Sequence, residues 1–443
     1  MREYLSWGRV LKYQHEIRRL FWLTDDLPFL GMTEKSVLPF AYGRSYGDVC
    51  LNKDGILLDT TGLNRFKAFD ADRGILSCEA GVSLADILDL IVPLGWFLPV
   101  TPGTKFVSVG GAIANDVHGK NHHVVGTFGN HVLRFELFRS DGKRYLCSPE
   151  ENVELFEATI GGMGLTGLIT WAEIQLKPIH SVNMDVENIK FYNLEEFFSI
   201  SKESDEKFEY TVAWLDCLTR GEAMGRGIFM RGNHTPGSSM SLRRKAEAVK
   251  KPKFSVPFAA PNLLLNRLTM QTFNNLYFRK QLSKVTKSKI HYDPFFYPLD
   301  AVGGWNKLYG NRGFFQYQFV LPEKNAHGLK EILQLITESG MGSLLAVLKK
   351  CGAKTSRGLI SFPMEGVTLA LDFPNNGLKT RELLRHLDKK VLEFGGRTNP
   401  SKDATTDASY FQEFYPQWKQ FSKYCDPKFS SSFWRRVMGN EAN

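Results

Sequence analysis

At 443 residues the chain has room for two domains with full cores, and its 43% hydrophobic and 23% charged residues are those of an ordinary soluble protein. No apolar run is long enough to span a bilayer, and Met1 to Trp22 carries charge throughout with no signal-peptide core, so a cytoplasmic protein is expected. The six cysteines, at positions 50, 78, 147, 217, 351 and 425, form no close pair, so reduced, mostly buried thiols are expected in place of disulfides or zinc ligands.

The first informative run is PFAYGRSYGD, Pro39 to Asp48, in which Gly43 and Gly47 flank Arg44, Ser45 and Tyr46. Arginine offers charge, and the serine and glycine backbone offer donors, which suits a phosphate. Short strands are expected at Ile56 to Asp59, Phe66 to Asp70 and Ile75 to Glu79, the last two joined by a DADRG turn. Ser83 is placed to cap the amphipathic helix LADILDLIV, which Pro93 and Gly95 stop. Then comes PGTKFVSVGGAIANDVHGKNHHVVGTFGNH, Pro102 to His131, rich in glycine and histidine. Glycine at that density implies positive φ angles or close approach of backbone to a bound group. Ser108 to Ala114 reads as a helix start whose free amides and positive dipole end suit a pyrophosphate; a mobile loop is the alternative. His118 and His122 have metal-ligand spacing, with His123 beside them. Gly119 and Asn121 argue against a helix there, and Asp116 is the one nearby carboxylate, so no metal is expected.

A hairpin follows, VLRFELFR and KRYLCS about Ser140-Asp141-Gly142, then a helix at ELFEATIGG and a strand at LITWAEIQL. Gly162, Gly164 and Gly167 spell a GxGxxG, with Glu187 downstream. The helix precedes it and the strand follows, the reverse of a Rossmann turn, so the match is set aside. Strands and short helices mix without strict alternation, which indicates an α+β fold. From about His180 the segments lengthen into a second α+β domain. Its strands are YTVAWLD, FFQYQFVLP and VTLALDFP, and its helices are GLKEILQLI and RELLRHLDKKVLEF. The two-residue period puts Gln316 and Gln318 on one face, although a plain polar sheet face would look the same.

The net charge of +9 is concentrated between Leu242 and Ile290, where Arg243, Arg244, Lys245, Lys250, Lys251, Lys253, Arg267, Arg279, Lys280, Lys284, Lys287 and Lys289 face a single acid, Glu247. Apolar residues from Phe254 to Phe278, including Leu263, Leu264 and Leu265, are interleaved with them. The combination suits an anionic bilayer surface or a lipid-linked phosphate; a solvated basic loop beside a buried helix is the alternative. No recognition motif accompanies the charge, so nucleic acid is not expected.

GRSYGD, PGTKFVSVGGAIANDVHGKNHH, GTFGNHV, GGMGLTGLI, YTVAWLD, YPLDAVGGWN, FFQYQFVLP, LDFP and EFGGR followed by SKDA span almost the whole chain. In these motifs, HGKNHH the most specific of them, the chain resembles the FAD-binding oxidoreductases of the vanillyl-alcohol oxidase type and, among those, the decaprenylphosphoryl-β-D-ribose 2-oxidase family. The resemblance implies a two-domain, PCMH-type α+β fold. Its FAD-binding domain would cover residues 1–179, a mixed α/β substrate domain 180–396, and a segment returning to the FAD domain 397–443. It also implies FAD contacts from Tyr42, Gly43, Arg44, Ser45, Tyr46, Gly47, Asp48, Gly103, Ser108, Val109, Gly110, Gly111, Asn115, Asp116, Val117, His118 and, near the adenine, Ile169. Relatives that tether the flavin carry a histidine where this chain has Arg44, so non-covalent FAD is expected.

A flavin takes a hydride from an alcohol carbon while a base removes the hydroxyl proton. Lys402, His118 and Tyr46, in that order, match residues lining the family's active site. A lysine beside other cations and shielded from water can be partly neutral at working pH. Lys120, Trp214, Asn306, Gln316, Gln318 and Lys349 match the family's substrate pocket, where amides fix sugar hydroxyls and lysines hold a phosphodiester. Ala370, Phe296, Asn399 and Val212 replace a cysteine, two tyrosines and a serine of the family, which leaves the sugar or the lipid open.

The resemblance implies oxidation of a polyprenyl-phosphate pentose at C2, with a partner short-chain reductase, a quinone or other electron acceptor, and a place on the inner face of the membrane. A soluble sugar, alditol or aldonolactone oxidoreductase is the second reading. A non-catalytic basic membrane adaptor is the third.

Overall fold

The computed structural model describes residues 3–25, 27, 29–237, 254–256, 259 and 265–439. Arg243, Arg244, Lys245, Glu247, Lys250, Lys251, Lys253, Leu263 and Leu264, on which part of the basic and apolar reading rests, lie outside the described residues.

Three sheets organise the chain. The first is small and parallel, with β1 (Glu16–Arg19) and β2 (Val37–Phe40) on either side of β3 (Ile56–Asp59). The second is antiparallel, in the order β4 (Phe66–Asp70), β5 (Ile75–Glu79), β8 (Leu168–Gln175), β6 (Val132–Phe138) and β7 (Arg144–Cys147). Over it pack α1 (Leu84–Ile91), α2 (Val109–Ala114) and α3 (Val153–Thr159). Ser83 caps α1 in a capping box with Asp86, and Leu84, Ile87, Leu88 and Ile91 form its buried stripe.

The third sheet is antiparallel throughout and carries the function. Its order is β12 (Val285–His291), β9 (Asn183–Phe191), β11 (Gly227–His234), β10 (Tyr210–Leu215), β14 (Val347–Cys351), β15 (Gly366–Pro374), β13 (Phe314–Pro322) and β16 (Arg397–Thr398). Side chains alternate across the pleat, so each strand has two characters. Leu348, Leu369, Leu371, Phe315, Tyr317 and Phe319 share a core with Ile332 and Ile336 of α6 (Gly328–Ser339) and with Leu383 and Leu387 of α7 (Leu378–Glu393). The opposite face carries Gln316, Gln318, Lys349, Ala370, Asp372 and Trp214. Gln318 pairs with Ala370, Ala370 with Val347, and Val347 with Trp214, so these side chains lie side by side.

The two parts share core. Tyr292, Phe295, Phe296 and Tyr297 pack with Leu84, Phe97 and Phe135 of the first domain. After β16 the chain turns back, and the Val37 amide donates to the Lys428 carbonyl at 2.8 Å while the Ser430 amide donates to the Val37 carbonyl at 3.0 Å.

His118 and His122 share no helix, as Gly119 and Asn121 predict; a one-turn helix, His122–Val125, begins only after Asn121. Other local expectations are corrected. The amides at the start of α2 are not free: Val109 donates to Val82 O, Gly110 to Ala80 O and Gly111 to the Ser108 hydroxyl. The stretch ending at Phe278 contains an unbroken helix, α5 (Arg267–Lys280), and Phe278 itself is buried between Lys190 and Arg226. The basic run also meets more acid in space than in sequence, since β9 and α4 (Leu194–Ser204) bring Glu187 to Lys287, Asp185 to Lys289 and Glu196 to Lys284.

Candidate active site

The PFAYGRSYGD run leaves β2 as a loop folded over backbone. Gly43 has φ +61, and a Cβ there would lie 2.5 Å from the Leu5 carbonyl. Gly47 sits so close to the Asp403 carbonyl that no side chain fits. Between them, the amides of Gly43 and Ser45 have no protein acceptor among the described residues, whereas the Tyr46 amide donates to Ser401 O at 2.9 Å. The Arg44 guanidinium stacks on Trp7 at 4.3 Å. A Cβ on Gly103, by contrast, would meet no atom within 4 Å. These features fit a pyrophosphate-bearing cofactor, with anion contacts from the Gly43–Ser45 loop in place of the α2 amides.

The other expected cofactor contacts divide by geometry. Asn115 bridges two loops, its amide donating to Gly111 O at 2.8 Å while its oxygen accepts from the Ser401 hydroxyl at 2.7 Å. The Val117 carbonyl is taken by the Phe128 amide, and Ile169 lies within β8 opposite Leu137. The Tyr42 hydroxyl reaches Gly81 O. Two acids have work of their own. The Asp116 carboxylate accepts from Gly129 N and the Ser356 hydroxyl, and Asp48 forms a bidentate pair with Arg436. Both side chains anchor the fold, so any contact they make to the cofactor is through backbone.

Opposite this cradle the polar face of the large sheet meets the HGKNHH loop. Asn399 Nδ2 donates to Gln318 Oε1 at 3.0 Å, which turns Gln318 Nε2 toward Thr368 Oγ1 and His118 Nε2, each at 3.2 Å. The Thr368 hydroxyl in turn donates to Phe319 O. With its Nε2 accepting, neutral His118 carries its proton on Nδ1. Burial, with Lys349, His122 and Lys402 adding to it, holds the imidazole well below its usual range. Lys349 Nζ donates to Gly119 O at 3.1 Å and Lys120 Nζ to Phe296 O at 3.3 Å. Burial pushes Lys349 down to about 8, and burial together with Lys349 pushes Lys120 down to about 7.

Lys402 hangs from the loop after β16 with its Nζ 4.0 Å from the centre of the Tyr46 ring. Burial lowers it to about 7, opposed by Asp372 and helped by Lys349. Tyr46 is not a base: burial and the nearby Asp372 raise its phenol, which therefore keeps its proton. Gln316 Nε2 donates to Asp372 Oδ1 at 2.7 Å, and the other carboxylate oxygen has no partner. Burial pushes Asp372 up to about 7.

Asp372 and Asn399 are the functional residues that sequence reasoning missed. The period-two signal that selected Gln316 and Gln318 also places Asp372 on the inner face of VTLALDFP, but its partners are visible only once β13 and β15 are paired. Two expected pocket residues are committed elsewhere. Asn306 donates to Trp7 O, supporting the Arg44 stack, and Trp214 donates to Leu344 O with its ring 4.6 Å from Tyr277. Phe296 points into the shared aromatic core, so its missing hydroxyl leaves the pocket unchanged.

A glycine-lined cradle facing a cluster of low-pKa lysines, an imidazole and two amides fits a flavin-dependent oxidoreductase. Residues 29–148 match a family described as an FAD binding domain. Over 415 residues the chain is 36% identical to the decaprenylphosphoryl-β-D-ribose oxidase of Mycolicibacterium smegmatis, covering 91% of this chain and 89% of that protein. The chain belongs to that family of FAD-dependent oxidoreductases. Some more distant likenesses cover only parts of the chain. They include 27% identity over 171 residues to the L-gulonolactone oxidase of Scyliorhinus torazame and 32% over 109 residues to the human Δ(24)-sterol reductase, covering 38% and 25% of this chain. Because Arg44 stands where a tether would, acid precipitation of the yellow protein is expected to release all its FAD to the supernatant. Flavin retained in the pellet would contradict this.

Proposed function

We propose that this chain oxidises the C2 hydroxyl of a polyprenyl-phosphate-linked pentose to a 2-keto sugar, the first half of an epimerisation that a partner short-chain reductase completes. The observation that carries this reading is the convergence of Lys120, Lys349 and Lys402 beside the Gln316–Gln318 strand. Burial lowers all three amines, Lys349 lowers Lys120 and Lys402 further, and a bound phosphodiester would offset that cost. Gln316 is placed to orient a sugar hydroxyl, while Gln318, held by Asn399, Thr368 and His118, fixes the pocket wall beside Ala370. Bound FAD supplies the hydride acceptor, and a quinone or similar carrier would take the electrons onward. Lys402 is the base: its amine is half neutral near pH 7, and Asp372 Oδ2 stands ready to share the proton. His118 is the weaker candidate, because its Nε2 already accepts from Gln318. The test is anaerobic bleaching of the flavin, expected with a polyprenylphosphoryl ribose and far slower with aldonolactones or free alditols. The reverse order would favour the soluble-sugar reading.

A lipid-linked substrate stays in its bilayer, so the pocket must reach the cytoplasmic face of the membrane. Among the described residues α5 exposes Leu268, Phe273, Leu276 and Tyr277, and Arg279 and Lys280 at its end have no acidic partner. Each cation contributes about 1 kcal/mol near an anionic surface. Changing Arg267, Arg279 and Lys280 to glutamate is therefore expected to weaken salt-sensitive binding to phosphatidylserine vesicles on the order of 10²-fold or more. Unchanged binding would remove α5 from the membrane contact.

A further inference from the structure

We propose that Arg436, on the C-terminal helix α8 (Ser432–Val437), is a positioning residue that fixes Lys402 against Tyr46 by bolting together the two loops that carry them. This rests on the reading that Lys402 works at the site. The Tyr46 loop ends in Asp48 and the Lys402 loop continues into Asp403. Arg436 binds both acids: its Nε and Nη2 donate to Asp48 at 2.9 and 2.8 Å, and Nη2 also donates to Asp403 at 3.0 Å. Its remaining nitrogen donates to Thr406 O. Side-chain exposures of 9% for Arg436, 3% for Asp48 and 7% for Asp403 put the triad out of water.

Arg436 adds charged bonds to a backbone contact between the same two loops. Gly47 lies directly on the Asp403 carbonyl, and the Tyr46 amide holds Ser401 O, so the loops touch backbone to backbone one residue on either side of Lys402. Asp403 meanwhile caps its own turn through the amides of Thr405 and Thr406. A nearby acid does not compete for Arg436. Asp388 accepts from the Tyr317 hydroxyl at 2.8 Å, and burial, with Asp403 adding to it, holds it well above the usual carboxylate range. Arg436 thus balances two carboxylates from 388 and 33 residues away in sequence, and its own bonds go to Asp48, Asp403 and Thr406. Removing one member of such a buried set leaves uncompensated charge, and displacements near 1 Å at a reacting group can cost about 10²-fold in rate.

The groups facing Lys402 are Asp372 from β15, Lys349 from β14, His118 from the HGKNHH loop and the Tyr46 ring. Its basicity therefore reports its placement. The experiment is trace acetylation of the holoenzyme with acetic anhydride across pH, with the labelling midpoint of Lys402 read by mass spectrometry, alongside flavin reduction rates. In Arg436→Met the Lys402 midpoint is expected to rise by about one pH unit or more toward the ordinary lysine value. Flavin reduction should slow by about 10-fold or more while FAD content is retained. Arg436→Lys should restore part of both.

If Arg436→Met does not fold, the uncharged triple variant Arg436→Met/Asp48→Asn/Asp403→Asn removes the buried imbalance and must show the same shift. A wild-type Lys402 midpoint in either folded variant overturns the proposal. If the midpoint moves but Lys402→Ala reduces flavin normally, the positioning role stands and the base assignment falls.

Discussion

Replacing Lys402 with alanine is expected to leave FAD bound and to slow flavin reduction about 10²–10⁴-fold, the range for loss of a general base. Among the described residues Lys402 makes no ion pair, and it projects over Tyr46, so its removal should leave the cradle intact. Wild-type reduction should rise with pH through about 7 as the amine loses its proton. Asp372 holds that proton on, so Asp372→Asn should move the profile to lower pH. Stability supplies a separate check with a fixed sign. Lys402 is depressed in the folded state, so the unfolded chain binds more protons between pH 7 and the ordinary lysine value, and wild-type stability rises with pH across that window. Lys402→Ala should accordingly be the more stable protein at pH 7, with the difference shrinking toward pH 10 or so. A variant that reduces its flavin at the wild-type rate while His118→Ala does not would reverse the assignment.

Gly47→Ala and Gly103→Ala should separate folding from cofactor binding. A Cβ at Gly47 meets the Asp403 backbone, which cannot rotate away, so about 3 kcal/mol of destabilisation and a largely colourless product are expected. At Gly103 the same methyl meets nothing within 4 Å, so the melting temperature of the flavin-free protein should not change. Its FAD affinity should nevertheless fall, because that open side is where backbone approaches the cofactor. Normal FAD affinity in Gly103→Ala would move the cofactor away from this loop.

The first domain was legible from sequence because its signals are local. Ile56–Asp59, Phe66–Asp70 and Ile75–Glu79 are short β-rich runs bounded by turn residues, and Ser83 with Asp86 announces its helix. The large sheet was legible only in its apolar strands. Asn183–Phe191, NMDVENIKF, and Val285–His291, VTKSKIH, pass unnoticed because their polar residues face solvent and each other across the ladder, Glu187 beside Lys287. The charge density of 242–290 likewise misled in part, since sequence shows the cations of Val285–His291 but not the acids paired with them. At the site, the family resemblance pointed to Lys402, His118, Lys120 and Lys349, where residue types alone would have left Lys402 a surface lysine. What sequence could not show was how they divide the chemistry. The tautomer of His118 follows from a chain that starts at Asn399, and the near-neutral pair Lys402 and Asp372 exists only where the loop after β16 crosses β15.

If a base at Lys402 and a bound flavin together remove hydrogen from C2 of a lipid-linked pentose, anaerobic stopped-flow reduction of the holoenzyme by polyprenylphosphoryl ribose carrying deuterium at C2 or, separately, at C3 will show it. Flavin bleaching slowed several-fold by deuterium at C2 and unaffected by deuterium at C3 is the predicted result. An isotope effect confined to C3, or a flavin that this substrate does not bleach, would contradict it.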